Sequence, residues 1–467
     1  MSDPEVAAAR GERRRAEPGS LAESASPSSP AEPPRDPVST DPVPAGPARR
    51  LATLARRVPW WAWVLAVYSA SRVVTTSILM AFAARQEDNP WTEASPGYLD
   101  FARLWDGHWY WIIAAVGYPD EIPRDDDGLA QENAWAFMPV YPMLVRAGLG
   151  LTGGGSAIDF AAVAVTISVV AGGAAALLFH ALLRRWMSAG AAMLGTALFC
   201  VAPLSPIYQV AYAEALHLAL LFLALLLVLE RRWAPLAVVV TVMALTRPSG
   251  LAFALLLTLV WLWRWRRARR GIEPFGMRER VTLLSVTAVA GFAGLAWPGI
   301  VALATGDFLG YTDTELAWRR PYIGDVHLVP FTPWWQGAQW WLGDVLGPVA
   351  LVTVLLLAAC AFALPAMRRM PVELRCWIVA YALYLLAVFF PQSSTFRLLV
   401  PLAPALGAIA LGIVSVGNGT LGRRLPRAAV GPLRGVLAAL AIAIGIAGQV
   451  LWVHLGWWVD AYDWTPP

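Results

Sequence analysis

The chain has 467 residues, 58% of them hydrophobic and 15% charged, with a mean hydropathy of +0.54. That balance excludes an ordinary soluble domain and leaves a polytopic membrane protein with room for about ten spans of roughly 20 residues each plus sizeable loops. The formal net charge of +4 is carried wholly by arginine, since the sequence has no lysine, and its placement follows membrane topology rather than a nucleic-acid surface.

Residues 1–50 are rich in Pro, Ser, Ala, Glu and Arg and poor in large apolar residues, so they are expected to form a disordered cytoplasmic tail. They lack the short apolar run and cleavage site of a signal peptide, and the segment 59–84 is long enough to be retained as a first span. Arg49, Arg50, Arg56 and Arg57 precede it, which puts the amino terminus inside. Further apolar runs at 157–183, 188–207, 212–230, 233–246, 250–264, 281–305, 346–367, 374–391, 397–416 and 435–456 make eleven spans. Alternate connections then carry the arginines: 184–185, 231–232, 264–280, 368–375 and 423–434 all fall on the cytoplasmic side. The opposite side receives a large first loop, 85–156, a second, 306–345, and shorter turns. The pair 233–264 reads either as two spans or as a re-entrant hairpin. Cys200, Cys360 and Cys376 lie in or beside apolar runs and read as small core residues.

The first exterior loop is too long for a simple connector, and such loops are usually functional. Within it, Trp105, Trp109 and Ile112/Ile113 recur at helical spacing with Tyr110 and Trp111 between, as in an interfacial helix. Asp106 starts that helix. A carboxylate there can cap the helix or act on a substrate. Ionisable residues recur at the exterior ends of other spans: Glu214 in AYAEALHL, Arg247 in TRPSG and Arg397 after PQSSTF. Charges at such depth either pair with one another or line a cavity, and arginine suits a phosphate through its planar fork. His108 is a substrate-contact candidate by its closeness to Asp106. Arg319/Arg320 are candidates for phosphate or headgroups, and Trp334, Trp335, Trp340 and Trp341 for an aromatic belt ahead of stacking on sugars. Asp125, Asp126 and Asp127 read as solvated acids, and the five histidines show no ligand spacing, so no metal is expected.

The stretch WDGHWYWIIAAVGYP followed by ENAWAFMPVYPMLVR resembles the GPI mannosyltransferase 2 family, the phosphatidylinositol-glycan class V-like enzymes. The matching elements are Trp105 and Asp106, Gly117 and Tyr118, Glu132, and Ala136 to Pro139, with Met138 where an aromatic is usual. The similarity continues at Tyr212–Glu214–Leu216 and Thr246–Arg247–Gly250. It implies the C superfamily of polyprenyl-phosphate-sugar-dependent glycosyltransferases, with Asp106 as the carboxylate that takes a proton from the acceptor hydroxyl. An arginine-only chain rich in Ala, Gly and Pro suggests a GC-rich bacterial genome. The acceptor therefore does not carry over from the family.

The combined expectation is an all-α membrane protein over 51–467, with a GT-C-like arrangement and an exterior-facing active site. Its function would be mannosyl transfer from a polyprenyl-phosphate donor to a cell-envelope glycolipid or glycan. Asp106 is the expected catalytic base, and Trp105, His108, Glu132, Glu214, Arg247 and Arg397 are the expected substrate-binding residues. The rival is a lipid-linked-sugar transporter, which would also place ionisable residues within spans. No repeated halves with matching broken helices are evident in the sequence.

Overall fold

The computed structural model describes residues 58–418 and 426–459. The tail expected over 1–50 lies outside the described residues, as do Arg423 and Arg424 of the last basic turn. The described residues form fourteen α-helices of eight residues or more, with no sheet beyond two isolated bridges. In chain order they are α1 (Trp60–Ala83), α2 (Asp106–Val116), α3 (Val140–Thr152), α4 (Ala157–Leu183), α5 (Ala189–Cys200), α6 (Glu214–Leu229) and α7 (Trp233–Ala244). There follow α8 (Gly250–Arg269), α9 (Met277–Thr305), α10 (Gly310–Ala317), α11 (Pro333–Phe362), α12 (Val372–Val388), α13 (Pro404–Val414) and α14 (Arg427–Trp452).

Every apolar run read from the sequence holds a helix. Five helices (α1, α4, α9, α11 and α14 with its π-turn) are long and apolar enough to cross a membrane, or six if the pair Thr395–Leu402 and Pro404–Val414, bent by 65°, is one span. Pro401 and Pro404 account for that bend, because proline removes a backbone donor and crowds the preceding turn. α11 begins at Pro333, so part of the expected second loop is helical, and Gly343 breaks it at φ +78°, a conformation glycine reaches without steric cost. The hinge at 245–249 separates α7, only twelve residues long, from α8. Twelve residues rise about 18 Å, short of a hydrocarbon core of about 30 Å. The turn carrying Arg247 therefore sits at membrane depth if α7 starts at the interface.

Small residues let the helices approach closely, which apolar helices in lipid need because tail solvent offers no hydrophobic drive between them. A Cβ on Gly250 would lie 2.6 Å from the Cα of Gly294, so α8 and α9 cross backbone to backbone. A Cβ on Gly172 would lie 2.3 Å from the Tyr68 hydroxyl, which donates to the Val169 carbonyl at 2.8 Å and locks α1 on α4. Arg72, buried in α1, donates to the carbonyls of Cys200 (2.8 Å) and Ser205 (2.6 Å). It thereby satisfies backbone acceptors freed where α5 ends, which would otherwise be costly in an apolar interior.

The bundle has two chemically distinct ends. At one, Arg185 pairs with Glu230, Arg231 with Glu273 at 2.7 Å, and buried Arg264 with Glu279. The turns after α4, α6 and α8, all read as cytoplasmic from their arginines, therefore meet one another. At the other end Arg124 pairs with Asp307 at 2.6 Å and Arg320 with Asp125 at 3.1 Å, tying the two large loops together.

Candidate functional site

The site begins at the first residue of α2. Trp105 precedes it with φ +60° and ψ −121°, a conformation that costs a non-glycine residue on the order of 1–3 kcal/mol and tends to occur at functional sites. Its surroundings hold it there: the Trp105 indole donates to the Trp457 carbonyl at 2.9 Å, and the Trp457 indole donates to the Phe101 carbonyl at 3.0 Å. The Asp106 N–H donates to the Tyr212 hydroxyl at 3.1 Å. The Asp106 side chain turns into the bundle, 6% exposed, and accepts from Arg397 Nη1 at 2.5 Å through Oδ2.

Arg397 lies on the short helix Thr395–Leu398, with its guanidinium 5.3 Å from the centre of the Tyr212 ring. Its Nε stands 3.6 Å from Glu214 Oε1, and Arg247 Nη1 approaches the same oxygen at 2.9 Å. Glu214 opens α6 and is 4% exposed, yet neither of its oxygens accepts a well-aligned hydrogen bond. The contact is one of charge more than of hydrogen-bond geometry. Four residues far apart in the chain thus form an alternating quartet of two carboxylates and two guanidiniums. Both expectations for Glu214, Arg247 and Arg397 are met at once: they pair with one another, and they line a cavity.

That cavity has a volume of about 500 Å³ and is walled by Asp106, Tyr110, Met138, Glu214, Arg247 and Arg397 on its charged side. At another side it reaches Leu251, Gly294, Leu295 and Pro298 of α8 and α9. Leu251 and Leu295 are 39% and 56% exposed, so the cavity's wall includes residues that also meet the apolar outer surface of the bundle. The remaining wall comes from α10 and the turn after it: Tyr311, Glu315, Trp318 and Arg319 face Tyr381 and Tyr384 of α12. Trp318 is fixed edge-on against Trp109 at 6.1 Å and Phe137 at 6.3 Å.

Glu315 was not singled out by the sequence. Its signal was the spacing Tyr311, Glu315, Arg319, which puts all three on one face of a helix. Burial raises the Glu315 carboxyl above its usual range, with Arg319 and Tyr311 opposing that rise. Burial likewise lowers Arg319, with Glu315 opposing; the guanidinium donates to the Val388 carbonyl at 2.5 Å.

Three expected site residues stand apart from this cavity. Trp105 is buried behind Asp106, stacked at a tilt on Trp91 at 5.0 Å. His108 packs edge-on to Trp111 at 5.9 Å, and burial together with Arg103 lowers its pKa. Glu132 borders a separate shallow recess beside Arg320, and burial raises its pKa. Asp125 accepts from the backbone N–H groups of Asp127 and Leu129, a turn-forming role. Among the described residues no three of His, Cys, Asp and Glu are grouped to hold a metal ion. Of the four loop tryptophans, Trp334 and Trp341 donate to the carbonyls of Leu385 (2.9 Å) and Pro391 (2.7 Å), while Trp335, Trp340 and Trp341 remain exposed.

No known protein family's profile matches the sequence, and no curated protein matches it. Solved structures of similar arrangement include the oligosaccharyltransferase of Archaeoglobus fulgidus in its apo form, 14% identical over 83% of this chain and 56% of that one, with a TM-score of 0.47. The same enzyme in complex with an inhibitory peptide and a dolichol-phosphate gives 14% identity over 83% and 56%, with a TM-score of 0.46. ArnT from Cupriavidus metallidurans in the apo state is 16% identical over 84% of this chain and 77% of that one, with a TM-score of 0.44. The chain spans a little over half, 55%, of the oligosaccharyltransferase in its peptide-tethered form. At these values neither activity nor substrate passes from those proteins to this one.

Proposed function

We propose that the cavity is the active site of a membrane glycosyltransferase that moves a mannosyl group from a polyprenyl-phosphate donor to a cell-envelope glycolipid or glycan. The observation that carries this reading is the convergence of Asp106, Arg397, Glu214 and Arg247 on one cavity whose wall also includes Leu251 and Leu295, both exposed on the apolar surface. A lipid-linked phosphate needs both features: guanidiniums for its head and apolar surface for its tail. The resemblance of WDGHWYWIIAAVGYP and ENAWAFMPVYPMLVR to the GPI mannosyltransferase 2 family supports mannose as the sugar. The proposed side is the exterior, opposite the end where the arginine-rich turns meet.

In this reading the acceptor oxygen attacks the anomeric carbon while the bond from that carbon to the phosphate oxygen breaks, its electron pair leaving with the polyprenyl phosphate. The acceptor proton passes to Asp106. One step of this kind inverts the centre, so a β-linked donor gives an α-mannoside. Asp106 is held through Oδ2 by Arg397, which leaves Oδ1 for the acceptor. A donor phosphate offers Arg397 a second anionic partner, so donor binding loosens the grip on Asp106 and frees the carboxylate to take the acceptor proton. Base help of this kind is worth about 10²–10⁴-fold.

The test uses purified protein in lipid with radiolabelled polyprenyl-phosphate mannose and extracted envelope glycolipids. Wild type should transfer label, and Asp106→Asn should lower the rate by about 10²-fold or more without loss of folding. Equal transfer by both would remove Asp106 from the mechanism. A well-folded wild type inactive with every polyprenyl-phosphate sugar would favour a transporter.

A further inference from the structure

Three carboxyl groups line the cavity, and only two of them are ion-paired. Asp106 and Glu214 are engaged by Arg397 and Arg247. Glu315, at the opposite wall, has Tyr311 as its hydrogen-bond partner, while the neighbouring Arg319 donates to the Val388 carbonyl. Tyr384 faces Glu315 from α12, and Arg247 and Asp106 face it across the cavity, the first favouring its ionisation and the second opposing it. The 3-10 turn Ala134–Ala136 beside α10 brings no charge, and the Asp313 carboxylate of α10 belongs to the Arg124 pair.

The charges can be counted. Three arginines and two paired carboxylates, with the lining His217 counted as a neutral imidazole, leave the cavity with one positive charge as long as Glu315 is neutral, and with none once it ionises. A phosphodiester, the linkage in a polyprenyl-phosphate sugar, carries one negative charge. We infer that Glu315 is a ligand of the donor phosphodiester, one that in its protonated form donates a hydrogen bond to a phosphate oxygen and leaves the cavity with the single positive charge that this anion matches. This rests on the polyprenyl-phosphate reading above. Burial supports the neutral form by raising the carboxyl's pKa. The sign follows: the neutral acid persists below the raised pKa and is lost as pH rises through it, so donor affinity falls with rising pH.

The probe is a short-chain polyprenyl phosphate methyl diester, whose single charge is constant through the neutral range, titrated into purified full-length protein in lipid at a series of pH values. Wild type should bind about tenfold or more weakly at the alkaline end than at the acid end, and Glu315→Gln should keep the acid-end affinity and lose the pH dependence. A second variant guards against a misfolded Glu315→Gln. Tyr311→Phe removes a contact that lowers the Glu315 pKa, so its midpoint should move to higher pH with the acid-end affinity unchanged. The inference is overturned by the same pH curve in wild type and Glu315→Gln, by loss of acid-end binding in a folded Glu315→Gln, or by an unmoved midpoint in Tyr311→Phe. Folded wild type that binds no diester at any pH overturns the polyprenyl-phosphate reading itself, and the inference with it, so the two failures are told apart.

Discussion

Arg397 touches both buried carboxylates of the quartet, whereas the Asp106 carboxylate is paired within the quartet with Arg397 alone. The two substitutions should therefore differ in kind. Asp106→Asn leaves Arg397 with Glu214 and should cost activity with little stability. Arg397→Gln leaves Asp106 uncompensated at low exposure and Glu214 with Arg247 alone; removing one partner of a buried pair typically costs about 3–5 kcal/mol. Its thermal midpoint in detergent should fall well below that of Asp106→Asn, and equal midpoints would show that the quartet is solvated. Glu214, Arg247 and Arg397 were legible in the sequence because an ionisable group at the end of an apolar run is costly and needs a reason, and Asp106 because it opens the aromatic helix of the first loop. Glu315 was harder to find, since it stands in a loop where charge is ordinary, although its neighbour Arg319, named from the sequence as a phosphate candidate, lines the same cavity. Trp105 and His108 were chosen for closeness to Asp106 in sequence, and a helix turns successive side chains by about 100°, which sends neighbours to different faces.

The crossing of α8 and α9 shows how an element sets the site. A Cβ on Gly294 would lie 2.6 Å from the Leu251 nitrogen and 2.9 Å from the Gly250 carbonyl carbon, both backbone atoms that cannot rotate away. Gly294→Ala should destabilise by about 1–3 kcal/mol or more, as overpacking does, and should shift the turn that holds Arg247 and so lower activity. Gly291→Ala, one turn earlier on α9 with nothing within 4 Å of its Cβ, is the control: alanine there favours the helix by up to about 1 kcal/mol. Equal melting of both variants would mean that the close crossing is absent. The helices themselves were readable from their apolar runs, whereas their ends were not. α5 stops at Cys200, before the expected end at 207, and α11 starts at Pro333 instead of 346. Both ends are set by contacts the local sequence does not announce, Arg72 gripping the end of α5 and the indole of Trp334 held by the Leu385 carbonyl.

Across the described residues, the ion pairs mark two ends of the bundle, and the orientation proposed above puts the arginine-rich one in the cytoplasm. The turns holding Arg185, Arg231 and Arg264 are tied to one another, and the loops holding Arg124 and Arg320 are tied to one another. Such contacts permit only two orientations, one the inverse of the other. The excess of arginine at the first end is the reason for proposing the one with that end in the cytoplasm. Single cysteines can test this in intact cells, after replacing Cys360 and Cys376 by serine and leaving buried Cys200 in place. Asp127→Cys, on the exposed tip of the first large loop, should react with a membrane-impermeant maleimide in intact cells. Arg232→Cys, on the exposed turn between α6 and α7, should react only after the membrane is opened. The opposite pattern would put the cavity's polar rim on the cytoplasmic side, where nucleotide sugars are the available donors, and would remove the physical reason for a lipid-linked one.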